Sequence, residues 1–266
     1  MSEAAPPSAC AATDTVALMY HAIGDGTDAA QDAHYTVPAD RFAAQLDLLA
    51  RVGGGATSAR DWLAAPSRAL VLKFDDGHAS NHALAWPALA ARGMCADFFV
   101  NPGKVGEPGL AGWAALREMA DAGMSIQSHG WNHTYFSALD AKALREDLTR
   151  SRAVIEDRIG RAVTLLAPPG GRMPRGLDAI ARECGYSHVL GSVPGRIGAT
   201  SPAHVLPRMS VTAALDLATL EGWVHGRGIA RARLRYDMLH LAKQTLGDRR
   251  YERWRGHLLG RHGDAR

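Results

Sequence analysis

The chain has 266 residues, 47% of them hydrophobic and 21% charged, enough for one large core and ordinary for a folded globule. A net charge of +3, aromatics at 6% and the lack of any RNP-like or zinc-finger pattern exclude a nucleic-acid-binding module. Three widely spaced cysteines, Cys10, Cys95 and Cys184, exclude a disulfide framework and read as reduced thiols.

Residues 1–14 are rich in Ala, Pro and Ser and read as a disordered leader. They carry no basic segment followed by an apolar run, and no apolar stretch approaches the ~18 residues of a membrane span. The expectation is therefore a cytoplasmic protein.

From Val16 onward, short apolar runs alternate with helix-period segments. The runs are Val16–His21, Ala69–Phe74, Ala96–Asn101, Met124–His129, Val163–Ala167, His188–Val193 and Val205–Val211. Their length and their β-branched and aromatic content predict strands. Helices are predicted over Arg41–Val52, Ser80–Arg92, Gly112–Ala122, Leu139–Ile159, Pro174–Cys184 and Ala213–Val224. In the longest central helix, Ser137 with Asp140 resembles a capping box and Gly160 is the expected stop. Seven strands alternating with helices imply a parallel sheet flanked by helices. An open doubly wound sheet and a distorted barrel both fit, and both gather function at the carboxyl ends of strands. The last segment, residues 229–266, is a basic helical extension. Leu234, Met238, Leu241 and Thr245 share one face, expected to pack on the domain or to dock on an anionic membrane surface.

Polar clusters do follow the apolar runs: KF-DDG, IQS-HGWNH and LLA-PPGG. Asp75-Asp76 alone reads as a turn, and His129 with His133 alone as coincidence. Together, at the ends of neighbouring strands, they make one carboxylate and two imidazoles, a ligand set for catalytic zinc that leaves a position for water. On a helical turn, residues four apart would point both imidazoles the same way. The adjacent carboxylates can both enter one site only if the chain turns, which Gly77 permits. One would ligate the cation and the other would stay free as a base.

KFDDG, SHGWNH and APPGG resemble, in order and spacing, the first three motifs of the NodB-type polysaccharide deacetylases, carbohydrate esterase family 4. LMYHAI, YTVPADRFAAQLDLL, the Phe98–Phe99 strand, Gly185-Tyr186, Pro194-Gly195-Arg196 and Leu206-Pro207-Arg208 extend the resemblance over most of residues 16–211. It implies an α/β fold, a distorted (β/α) barrel of about seven parallel strands spanning residues 15–228. It implies Asp75 as general base, Asp76, His129 and His133 as ligands of a divalent metal, and loss of an acetyl group from an N-acetylated sugar. Zinc is the expected metal, and Ni2+, Co2+ or Fe2+ suit the same ligands.

The third motif departs from the family. The family's arginine is replaced by Ala167, within Ala167-Pro168-Pro169-Gly170-Gly171, so the group that orients Asp75 has to come from elsewhere. Arg172 and Arg208 are the candidates. Pro168, Pro169, Gly170 and Gly171 are expected to form a wall of the groove, and His21 to contact substrate or the base. The family's Leu-x-His acid has only loose echoes at His225 and His240. The substrate expected is an envelope or exopolysaccharide glycan or its lipid-linked or soluble precursor. The alternatives are an amidase or deformylase acting on another C–N bond, and a catalytically silent glycan-binding relative.

Overall fold

The computed structural model describes residues 14–26, 32–198 and 204–246. Its centre is a curled parallel sheet of eight principal strands: β1 (Ala17–Tyr20), β2 (Leu70–Phe74), β3 (Asp97–Val100), β4 (Ser125–Ser128), β5 (Leu165–Leu166), β6 (His188–Leu190), β7 (Val205–Leu206) and β8 (Met209–Ser210). The spatial order is β7-β6-β5-β4-β3-β2-β1-β8, and every pairing is parallel. A two-residue strand, Ala56–Thr57, also pairs with the start of β2, and Ala22–Ile23 pairs with Thr36–Val37.

The run Val205–Val211, expected as one strand, is two. β7 and β8 lie on opposite edges of the sheet, yet only Pro207 and Arg208 separate them in the chain. The two edges must therefore be neighbours, and the sheet curls into a barrel that closes without a hydrogen-bond ladder. Proline explains the break, because it has no N–H to give to a ladder.

Among the described residues, eight helices surround the sheet: α1 (Ala39–Gly53), α2 (Ala59–Ala64), α3 (Trp86–Ala90), α4 (Trp113–Asp121), α5 (Ala141–Ile159), α6 (Leu177–Glu183), α7 (Leu217–Val224) and α8 (Ile229–Leu246). Strand alternation divides the core. Leu70, Leu72 and Phe74 of β2 face the helices, while Val71 joins Ala17, Phe99, Leu165, Leu190 and Leu206 inside the barrel.

Several boundaries differ from the expectations. Asp140, not Ser137, caps α5; its carboxylate accepts from the N–H groups of Lys142 and Ala143 at 3.0 and 2.8 Å. Ser137 lies in a separate 3-10 turn, Phe136–Ala138, while Gly160 ends α5 in the left-handed region as expected. The helix expected over Ser80–Arg92 opens with a wide π turn, Asn81–Ala85, before α3. Pro87 brings no N–H and crowds the carbonyl four residues back, which a widened turn relieves. α6 and α7 start later than expected, α7 at the cap Asp216. α2, capped by Ser58, was not expected at all; it has six residues, too few to show a helical period.

α8 reverses the expected packing. Ile229 and Ala232 lie against the core, whereas Leu234, Met238 and Leu241 are each more than 60% exposed. The side chains of His240 and Thr245, and residues 1–13 of the leader, fall outside what the structure describes.

Candidate active site

The carboxyl ends of β1, β2, β4, β5 and β6, with the β7–β8 break, deliver the polar residues to one end of the barrel. Phe74 is the last residue of β2 and Asp75 follows it, its N–H bonded to Tyr20 O at 2.9 Å. Asp76 then takes φ 74° and Gly77 φ 70°. The turn is thus made by the aspartate as well as by the glycine. A Cβ on Gly77 would come within 3.1 Å of Val100 Cγ1, so the tight approach to β3 also favours glycine. Asp76 and His133, φ 65°, are the two non-glycine residues in the left-handed region among those described. Asp and His tolerate that region better than branched residues, and such outliers concentrate at functional sites.

His129 follows β4 directly, but residues 129–135 form a bent loop and no helical turn. The convergence expected from four-residue spacing is achieved by the left-handed backbone at His133 instead. Both Nε2 atoms stand 3.2 Å from the same oxygen, Asp76 Oδ1. The ligand atoms of Asp76, His129 and His133 all lie within 4.8 Å of one another. His129 Nδ1–H donates to the Ala167 carbonyl at 2.7 Å, which turns the Nε2 lone pair toward Asp76. Asn101 Nδ2 holds the same loop through the carbonyls of His129 and Gly130. The three donors suit a divalent cation: two imidazole nitrogens, one with its tautomer fixed, and one carboxylate.

Asp75 points elsewhere. Its Oδ2 accepts from Arg208 Nη1 at 2.8 Å, and its Oδ1 lies 3.4 Å from Lys73 Nζ. Arg208, between β7 and β8, is 1% exposed. It also donates from Nε to Gly191 O and from Nη2 to Ser192 Oγ at 3.0 Å. Burial pushes the Asp75 carboxyl up, but the Arg208 guanidinium and the Lys73 ammonium outweigh it and hold the group well below the usual carboxylate range. Of the two arginines considered for Asp75, the structure places Arg208 against it. Arg172 instead stacks on the Tyr135 ring, 3.8 Å from its centroid.

The loop Pro168–Gly171 packs beside this assembly. A Cβ on Gly171 would fall 1.9 Å from Ser192 Oγ, the atom that accepts from Arg208. Glycine here lets the loop press on the residue that steadies Arg208. His21, at the end of β1, stacks on Tyr35 at 4.6 Å, and its buried Nδ1 has no hydrogen-bond partner. Burial lowers its pKa against the opposing pull of Asp76 and Asp75. His225 does not reach the site. It lines a cavity with Asp14, Gly53, Gly54 and Arg68, at the opposite, amino end of the strands.

Sequence reasoning missed Lys73, Ser192 and His78. His78 is buried, with Nε2 3.8 Å from Asp76 Oδ2. It directly follows the DDG turn, and that adjacency was the available signal. Lys73 had one too, as a charged residue within an otherwise apolar strand; Ser192 had none.

Residues 63–189 match the family model described as polysaccharide deacetylase. YxkH of Bacillus subtilis, whose name groups it with polysaccharide deacetylases, is 26% identical over 202 residues, covering 73% of this chain and 70% of its own. The deacetylase PplD of Streptococcus pyogenes, solved with acetate, shares the fold with a TM-score of 0.70 at 22% identity, over 78% of this chain and 96% of that one. IcaB from Ammonifex degensii superposes with a TM-score of 0.65 at 26% identity, over 79% and 97%. The matched span contains the Asp75-Asp76 turn and the His129–His133 loop, which the fold brings together, and over that span the chain is similar to the polysaccharide deacetylase family, with which a NodB-type assignment fits.

Proposed function

We propose that this protein removes the acetyl group from an N-acetylated amino sugar in a glycan or its precursor, with a divalent metal held by Asp76, His129 and His133. The observation that carries this reading is the division between two adjacent carboxylates. Asp76 Oδ1 meets both imidazoles at 3.2 Å, while the Asp75 carboxylate is turned to Arg208. A divalent ion there, zinc by ligand type, supplies Lewis-acid activation of water and of the acetamide carbonyl.

Asp75 takes the proton of the attacking water as the oxygen bonds to the carbonyl carbon. Arg208 keeps that carboxylate ionised and fixes its direction. The C–N bond then breaks, the nitrogen leaves protonated as the sugar amine, and the acyl group leaves as acetate. The loop Pro168–Gly171, with Tyr135 and Arg172, walls the groove, and His21, at the carboxyl end of β1, contacts substrate from the same end of the barrel. The test is acetate release from N-acetylglucosamine oligomers and lipid-linked N-acetyl sugars by wild type and Asp75→Asn. Turnover of formyl or cyclic-amide substrates without acetate release would assign the site to another C–N bond. Equal activity of the two proteins would remove Asp75 from the chemistry.

The proposal includes docking of a cytoplasmic enzyme on the anionic inner face of the membrane through α8. Leu234, Met238 and Leu241 are exposed on the side turned away from Ile229 and Ala232. Residues 229–266 carry ten Lys and Arg against four Asp and Glu, a net +6 in a chain whose total is +3. Apolar side chains beside clustered arginines suit an anionic lipid surface. Co-sedimentation with phosphatidylglycerol vesicles, reduced by Leu234→Ser with Met238→Ser, is the expected result. Equal binding to neutral vesicles, or self-association through the same face, would overturn it.

A further inference from the structure

Lys73 is the second-last residue of β2 and points into the barrel, on the same side as Val71 and Asp75. It is fully buried. An ammonium taken out of water costs several kcal/mol, and a barrel interior lined by Val71, Phe99 and Leu190 would accept Leu or Met without that cost. Its Nζ has no hydrogen-bond partner, and neither has Asp75 Oδ1, 3.4 Å away. The distance is longer than a good hydrogen bond and short enough for a strong charge contact. The Phe99 ring, 4.3 Å from Nζ to its centroid, supports the ammonium from another side.

We propose that Lys73 is a positioning residue for Asp75, its ammonium fixing the carboxylate oxygen that Arg208 leaves free. Asp75 then has one cation on each oxygen: Arg208 from the β7–β8 break and Lys73 from beneath, within its own strand. Two fixed charges hold the plane of the carboxylate as well as its position, which a single contact does not do. The proposal rests on the reading of Asp75 as the proton acceptor.

The experiment is Lys73→Met, a substitution of similar volume, in the full chain, alone and combined with Asp75→Asn. Acetate release from N-acetylglucosamine oligomers and Tm are both measured. Lys73→Met should lower kcat at least tenfold with KM unchanged and Tm equal to or above wild type. In the Asp75→Asn background it should cause no further loss. Lys73→Gln, which keeps an N–H donor, should recover part of the lost kcat and also serves if the methionine variant does not fold. Wild-type kcat in Lys73→Met, or the same fold loss with and without Asp75, overturns the proposal while Asp75 keeps its role. If Asp75→Asn is itself fully active, the base assignment and the Lys73 proposal fall together.

Discussion

Asp75 and Asp97 are two carboxylates buried in the same barrel, and they titrate in opposite directions. Burial drives both upward. At Asp75 the Arg208 guanidinium and the Lys73 ammonium reverse that effect. At Asp97 the leading opposing groups are neutral, the Ala59 N–H at 2.5 Å and the Ser125 hydroxyl, followed by the Lys73 charge and the Arg60 N–H. Its carboxyl is pushed up to about 6. Lys73 lies beside both, as the residue before Phe74-Asp75 and as the register partner of Asp97 on β3. The comparison teaches that depth of burial does not set the charge state here; the cations in reach do. Asp75 stays ionised at the carboxyl end of the strands, as a proton acceptor must. Asp97, at the amino end, accepts the Ala59 and Arg60 N–H groups in the first turn of α2 and is structural.

The comparison can be broken most severely at Asp75. Asp75→Asn should lower acetate release by roughly 10²–10⁴-fold, the usual contribution of a general base, with metal content retained and Tm lowered, because Arg208 and Lys73 lose their buried carboxylate. Arg208→Met should come next. It leaves Asp75 buried without its principal counter-charge, so stability should drop by about 3–5 kcal/mol in denaturant titration, with acetate release reduced in the folded protein. Asp97 supplies the reverse case. A carboxyl raised in the folded state favours folding while protonated, fully below its unfolded value near 3.8, and that contribution is lost as pH rises through about 6. From about pH 4 to about pH 7, wild type should therefore lose roughly 2 kcal/mol relative to Asp97→Asn. Asp75 runs the other way, its contribution present above the ordinary carboxylate value and lost only as pH falls below it. The smallest effect is expected from Gly171→Ala, which forces a Cβ at φ 65° against Ser192 Oγ. It should cost about 1–3 kcal/mol of stability and lower kcat less than Arg208→Met does.

Much of the fold was legible because each strand is a short apolar run ending in a polar cluster. KF-DDG and IQS-HGWNH mark both the ends of β2 and β4 and the residues that converge there. The geometry of convergence was less legible. His129 and His133 suggested a helical turn by their spacing, yet the loop meets Asp76 through left-handed backbone at His133 and at Asp76 itself. The tail shows the same limit. Leu234, Met238 and Leu241 form an apolar face in the sequence, but Ile229 and Ala232 are the residues that pack.

Alone, the sequence determined the parallel α/β alternation, the motif that divides Asp75 from Asp76, and the pair of histidines. Those signals are local, since strand period and motif spacing act within a few residues. The tertiary structure decided what holds Asp75. Lys73, two residues before it, reaches it through strand alternation. Arg208, 133 positions further on, reaches it because Pro207 breaks the last strand and brings the two edges of the sheet together. A charge pair at that separation is invisible to any local pattern, because only closure of the barrel sets its distance.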